Sequence, residues 1–200
     1  RAARTLGVPL VASAHTDYEQ YAERYGLGWA VWPGWHYLRA FYAHAQVVLA
    51  PTRHYQRHLQ RRGVRHTGIW SRGVDLDEFG PRFRSLDWRA RFGVGPGDAL
   101  VTCVGRIAPE KNVPLLLDAW GAISGRHPRA HLVFVGKGLM EEEIQARGLP
   151  RVHLAGMQRG AELAAAYASA DLFVLPSVTE TFGNVLLEAM ASGVPALAAA

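Results

Sequence analysis

From Ala99 onward, short apolar runs alternate with helix-forming stretches of about ten residues, and few folds accept that rhythm. "ALVTCVGR", "AHLVFVGKG", "VHLAGM", "LFVLPS" and "PALAAA" read as strands. "NVPLLLDAWGAISG", "LMEEEIQARG", "GAELAAAYASA" and "GNVLLEAMASG" read as the helices between them, with Asn112 as the expected cap of the first and Pro114 in its opening turn. Strand–helix–strand units of this kind form a parallel sheet, and the sequence predicts a Rossmann-like domain over residues 98–200. Ligands of such sheets bind outside the carboxyl ends of the strands, where the strand-to-helix turns converge.

The first part of the chain is aromatic and basic. "VASAH" and "VVLAPT" read as short strands, and Trp35, Leu38, Phe41, Tyr42 and Ala45 recur at helical spacing. Thr52 is placed to cap a helix on which Arg53, Arg57 and Arg61 repeat every four residues opposite Tyr55 and Leu59, and Gly63 ends it. The expected organisation is a partial α/β domain over 1–76, an interdomain linker over 77–97, where "RFRSLDWRARFGVGPGD" is charged and broken by Gly and Pro, and the Rossmann-like domain over 98–200. Both ends read as lying inside a fold rather than at its edge.

Composition narrows the function classes. The 200 residues are 49 % apolar and 20 % charged, which is ordinary for a folded chain. No apolar stretch reaches the roughly 18 to 20 residues of a spanning helix, and a cytoplasmic setting is expected. The single cysteine, Cys103, lies in an apolar run and reads as a buried inert thiol. The net charge of +5 suits phosphate-bearing ligands or an anionic membrane surface. Nucleic acid is not expected, because no basic–aromatic reader motif occurs. Only two of the 22 basic residues are lysines, Lys111 and Lys137, and both sit in strand-to-helix turns. His36, His44, His54, His58, His66, His127, His131 and His153 lack metal-ligand spacing and read as surface residues.

Three turns carry candidate chemistry: "GRIAPEKN" with Arg106 and Lys111, "GKG" around Lys137, and "PSVTETFGN" running into the helix that begins near Gly183. The first amides of that helix, at Gly183, Asn184 and Val185, have no intrahelical acceptors, and the helix dipole adds about half a positive charge there. This is an anion site, most often for phosphate. Arg106 and Lys111 from a neighbouring turn supply full charges to the same anion. Glu180 precedes the helix and Glu188 lies within it, so each can accept hydrogen bonds from vicinal diols on either side of a phosphate. A phosphate between two hydroxyl-rich rings describes a sugar nucleotide.

These residues also resemble a known family. "VGRIAPEKN…LLLDAW", "YASADLFVLPS" and "ETFGNVLLEAMASGVPALA" are similar to the C-terminal domain of the family-4 retaining glycosyltransferases. "SAHTDYEQYAERYGLGW", "YLRAFYAHAQVVLAPT" and "WSRGVDLDEFGP" resemble the same family, closest to its bacterial lipid mannosyltransferases and sulfoquinovosyl-type transferases. The resemblance implies the two-domain GT-B fold, both domains being incomplete in this chain. It implies that Arg106 and Lys111 hold the donor diphosphate. Glu180, with amides around Phe182 to Val185, would bind the donor sugar, and Glu188 the ribose. His15, in "SAHT", would face the transferred sugar from across the cleft. GDP-mannose is the expected donor, ahead of UDP-sugars, and a lipid or lipid-linked glycan the expected acceptor. No metal or other cofactor is expected, since cations and helix amides would stabilise the leaving diphosphate. One departure stands out: the acidic residue usual in the family's second turn is replaced here by "GKGL". A non-catalytic nucleotide- or phosphate-binding module, a nucleotide-sugar epimerase and a phosphorylase of the same fold are the alternatives.

Overall fold

The computed structural model describes residues 2–178 and 180–199, with the side chain of Arg4 excepted. They divide into two compact units, residues 2–72 with 180–182, and residues 73–178 with 183–199.

The first unit holds a three-stranded parallel sheet in the order β1-β2-β3. β1 is Val11–Ser13, β2 Val47–Ala50 and β3 Thr67–Ile69, and a short helix α1 (Ala2–Thr5) precedes them. Helices α2 (Tyr18–Arg24) and α3 (Val31–Tyr42) connect β1 to β2, and α4 (Arg53–Arg61) connects β2 to β3. Thr52 caps α4 as expected, its hydroxyl accepting from the Tyr55 amide at 3.1 Å. Tyr55 and Leu59 turn inward to pack with Trp35, Tyr42 and Val48, while Arg53, Arg57 and Arg61 stay on the exposed face. Trp35 donates to Glu19 at 3.2 Å, and Arg62 closes an ion pair on the same carboxylate.

The second unit is a five-stranded parallel sheet in the order β6-β5-β4-β7-β8. The strands are β4 (Ala99–Val104), β5 (Ala130–Val135), β6 (Val152–Gly156), β7 (Leu172–Leu175) and β8 (Ala196–Ala198). Between them run α6 (Val113–Ile123), α7 (Glu141–Ala146), α8 (Gly160–Ala168) and α9 (Asn184–Ala191), preceded by α5 (Leu86–Ala90). Side chains alternate across the sheet with period two. Leu132 and Phe134 join Leu117, Trp120 and Ile144 in a core under α6 and α7. Val133 and Val135 join Trp88, Tyr167, Phe173 and Ala189 in a second core under α5, α8 and α9. Both faces are therefore buried, which is why the strands read as unbroken apolar runs. Cys103 is buried on this sheet, and burial pushes its thiol up to about 12 despite the charge of Lys111.

Residues 77–97, expected to link domains, are built into the second unit. Ser85 caps α5 by accepting from the Trp88 amide at 3.1 Å, and Trp88 is 1 % exposed in the core. Arg89 is buried, donating to the Asp171 carboxylate at 2.9 Å and to the carbonyls of Ser169 and Asp98 at 2.8 and 2.6 Å. Arg84 adds a second ion pair on Asp171 at 2.8 Å. Burial alone would raise the Asp171 carboxyl, but hydrogen bonds from Arg84, Leu100 and Arg89 hold it below its ordinary value. Two of the arginines that read as linker charge thus hold one carboxylate and the carbonyls around it, and Arg91 pairs with Glu162 at 2.6 Å. Among the described residues no helix is long and apolar enough to cross a membrane.

Three of the histidines read as surface residues are packed instead, and one of them, His58 on α4, stacks on Tyr55 at an interplanar angle of 12° with its ring 5.6 Å from Trp35. His131 on β5 is buried and His153 on β6 half-buried, their rings stacked at an interplanar angle of 11° with Nδ1 and Nε2 3.1 Å apart. Burial lowers both from their ordinary value. Arg151 and Arg89 add to the effect at His131, where Asp98 opposes it, and His131 itself adds at His153. Each ring thus prefers its neutral form when folded. The pair's contribution is complete above the unfolded value of 6.5 and is lost as pH falls below it through the lower folded values. The melting temperature should accordingly be lower at about pH 5 than at about pH 7.5, and His153→Gln should shrink that difference in a thermal melt at both pH values.

Candidate active site

The sheet of the second unit reverses direction at β4. From β4 the chain steps outward through β5 to β6, and then α8 carries it back to β7 on the other side of β4. The connections leave β4 and β7 on opposite faces, so the crevice beyond their carboxyl ends is the switch point where such sheets bind ligands. The turn after β4 contains Arg106 and Lys111, and the turn after β7 runs through Glu180 and Phe182 to Gly183.

The two turns are stitched together. The Asn112 side chain donates to the Pro176 carbonyl at 3.3 Å, and the Ser177 hydroxyl donates to the Glu110 carbonyl at 3.4 Å. Asn112 occupies the cap position of α6, yet its side chain makes no capping bond. Its backbone is left-handed (φ 54°), ending the short 3₁₀ turn Pro109–Lys111 and opening α6. Expected as a helix cap, Asn112 is instead the strut between the β4 and β7 turns. Pro114 sits in the first turn of α6 as expected.

Arg106 pairs with Glu110 at 2.7 Å, and Glu110 is 0 % exposed beneath it. The guanidinium is thereby tethered while most of the side chain stays exposed. Lys111 is half-buried at the end of the 3₁₀ turn.

The third turn, "GKG" after β5, is welded onto the first. Gly105 donates to the Val135 carbonyl at 2.9 Å, Ile107 to the Lys137 carbonyl at 3.1 Å and Met140 to the Ile107 carbonyl at 3.1 Å. A Cβ on Gly136 would fall inside the Gly105 carbonyl oxygen, and one on Gly138 inside that of Ile107. The Gly138 amide donates to the Glu141 carboxylate at 2.7 Å, which ties the turn to the start of α7. Lys137 and Leu139 project outward, Leu139 being 84 % exposed.

Gly183 caps α9 in a left-handed conformation (φ 79°) that favours glycine, and the Leu186 amide is the first to return to it, at 2.9 Å. The amides of Asn184 and Val185 open the helix, where no intrahelical acceptor is available. Glu188 follows Asn184 by four residues and so lies on the same helical face. Its carboxylate accepts from the Tyr167 hydroxyl of α8 at 2.6 Å. No role was assigned to Tyr167 from the sequence, although it opens the stretch "YASADLFVLPS" that carries the family resemblance.

In the first unit His15 lies two residues beyond β1, half-buried, with its ring edge-on to Trp70 at 6.1 Å. Burial and then the charge of Arg72 lower its pKa, so the imidazole is neutral at physiological pH. The Thr181 hydroxyl donates to the His15 carbonyl at 2.6 Å, placing the 180–182 segment beside this residue. Arg106, Lys111, Gly183, Asn184, Val185 and Glu188 thus belong to the second unit, and His15, Glu180 and Phe182 to the first. Among the described residues no three His, Cys, Asp or Glu side chains gather as a metal site.

Comparison with known proteins identifies the family and the fold. A family model described as glycosyl transferases group 1 matches residues 98–200, and one described as glycosyltransferase family 4 matches residues 1–78. The chain is 41 % identical to a GDP-mannose-dependent alpha-mannosyltransferase of Mycolicibacterium smegmatis, over 98 % of this chain and 51 % of that protein. It is 39 % identical to the sulfoquinovosyl transferase SQD2 of Arabidopsis thaliana, over 98 % of this chain and 39 % of the relative. Among solved structures, sucrose-phosphate synthase from Thermosynechococcus elongatus superposes with a TM-score of 0.79 at 25 % identity, covering 96 % of this chain and 50 % of that one. Anabaena HepE, in complex with UDP and glucose, shares the fold with a TM-score of 0.72 at 24 % identity, over 98 % of this chain and 54 % of that one. The chain spans about half the length of the Mycolicibacterium relative and about two fifths of the Arabidopsis one.

The welded turns are testable without a ligand. Gly138→Ala forces apart two backbones that touch and should cost about 2 to 3 kcal/mol, a fall in Tm of roughly 5 to 10 °C. Gly121→Ala, whose Cβ would meet only Leu149 at 3.5 Å in the interior of α6, should leave Tm unchanged or raise it.

Proposed function

The chain belongs to the group 1, family-4 glycosyltransferases, and on that premise we propose that the whole protein is a retaining hexosyltransferase of the two-domain GT-B fold. It moves mannose from GDP-mannose to a hydroxyl of a lipid or lipid-linked glycan. The observation that carries the reading is the switch-point crevice, where the Arg106–Lys111 turn is stitched to the turn that leads into the open amides of α9. The name of the Mycolicibacterium relative supports mannose carried on GDP, with UDP-sugars the second choice.

Each residue then has a task. Arg106 and Lys111 hold the donor diphosphate and stabilise the charge that develops as it leaves, together with the amides of Gly183, Asn184 and Val185. Because Glu110 fixes Arg106 beforehand, little ordering is left to be done when the donor arrives. Glu180 and Phe182 bound the donor sugar, and Glu188 accepts from the ribose hydroxyls. His15, neutral, is a hydrogen-bond partner for a hydroxyl of the transferred sugar. The acceptor hydroxyl attacks on the face from which the diphosphate departs, so the anomeric configuration is kept.

A cytoplasmic enzyme at the inner membrane surface fits the first unit. From Arg24 to Val74 there are eight arginines and neither Asp nor Glu, and Trp29, Trp32 and Tyr37 are each more than 70 % exposed. A basic, aromatic surface of this kind suits anionic lipid headgroups.

Titration with GDP-mannose against UDP-glucose should show saturable binding of the first. Transfer should require an acceptor, with mannose appearing in product in the α configuration. Lys111→Ala or Glu180→Ala should lower kcat/KM about 10²- to 10³-fold, and unchanged transfer in either variant would overturn the assignments. Binding with no consumption of donor would instead identify a nucleotide-binding module. A new nucleotide sugar formed without acceptor would identify an epimerase, and a requirement for inorganic phosphate a phosphorylase.

A further inference from the structure

The Tyr167 ring is fully buried, 5.6 Å from Phe79 and 5.7 Å from Phe173, among the alanines of α8. A phenylalanine would fill such a site without bringing a hydroxyl into an apolar core, where an unsatisfied one is destabilising. The tyrosine spends its hydroxyl on Glu188, a residue of the donor site proposed above, at the short distance typical of a charge-assisted bond, 2.6 Å. Among the described residues Glu188 has no other side-chain hydrogen bond. Side chains on a helix lean toward its N-terminus, so Glu188 leans toward the open amides at Asn184 and Val185. With Oε2 held by Tyr167, the rotation of the carboxylate is fixed and Oε1 is the acceptor left for a ligand.

We propose that Tyr167 is a positioning residue for nucleotide recognition: by anchoring one oxygen of Glu188, it aims the other at the ribose hydroxyls of the nucleotide at the head of α9. The inference rests on the reading of Glu188 as the ribose ligand. Burial, followed by the neighbouring carboxylate, raises the Tyr167 hydroxyl far above its ordinary value, so the donor proton is present throughout the working pH range.

The test is a titration of the protein and its Tyr167→Phe variant with GDP and UDP, each beside its 2′,3′-dideoxy counterpart. For the nucleotide that binds, Tyr167→Phe should weaken the ribonucleotide about three- to tenfold, the worth of an aimed charge-assisted bond. It should leave the dideoxy form within about twofold, because that form has no hydroxyl to meet Glu188. In a Glu188→Ala background, where no acceptor is left to anchor, the same substitution should add nothing to the ribonucleotide. Equal weakening of both forms would assign Tyr167 a packing role only and overturn the proposal. If the unmodified protein binds ribo- and dideoxynucleotide alike, or binds neither nucleotide, the ribose reading of Glu188 fails first and the proposal with it.

Discussion

Everything at the candidate site follows from the reversal of strand order at β4. A parallel sheet must return each connection across one of its faces, and right-handed crossovers leave no freedom in which face is used. Placing β7 on the far side of β4 therefore sends α6 and α8 to opposite faces and parts the two turns above the strand ends. A parted pair of turns would ordinarily be loose. Here Asn112 and Ser177 reach across the gap, one side chain from each turn, and the crevice is built from rigid backbone.

The electrostatics of that crevice are arranged in layers. Glu110 is buried under Arg106, so a full positive charge is presented at the surface while its position is set from below. The same device recurs on the opposite side of the sheet, where Tyr167 lies under Glu188. In both cases the less buried member of a pair is held by a partner sealed in the core. A charge held in this way is spared part of the side-chain entropy that an unsupported surface residue gives up on meeting a ligand.

The sequence made the second unit legible because both of its signals are local: apolar runs of strand length, and glycine, proline or asparagine at the turns between them. All five strands and four connecting helices fall where the periodicity placed them, and the helix start beside Gly183 was recoverable from "FGN" alone. What escaped depends on partners distant in sequence. Residues 77–97 looked like a linker because their arginines carry no local sign of Asp171, more than 80 positions away. Asn112 has the composition of a cap, yet a carbonyl 64 residues on holds its side chain. His131 and His153 are polar residues on adjacent strands, and only the register of the sheet shows that they stack. Tyr167 was hidden by its own surroundings, since an aromatic ring in an alanine-rich helix announces packing and says nothing of its hydroxyl.

The turn between β5 and α7 has a property of another kind. Its two glycines are pressed against the neighbouring backbone, whereas the residues beside them, Lys137 and Leu139, have exposed side chains. Conformation and chemistry are thus assigned to different positions of one tetrapeptide: 136 and 138 hold the shape, and 137 and 139 can carry almost any side chain without disturbing it. Such a turn is a ready-made cassette, in which the rim of the site can be rewritten by exchange of two residues while the sheet beneath is left alone.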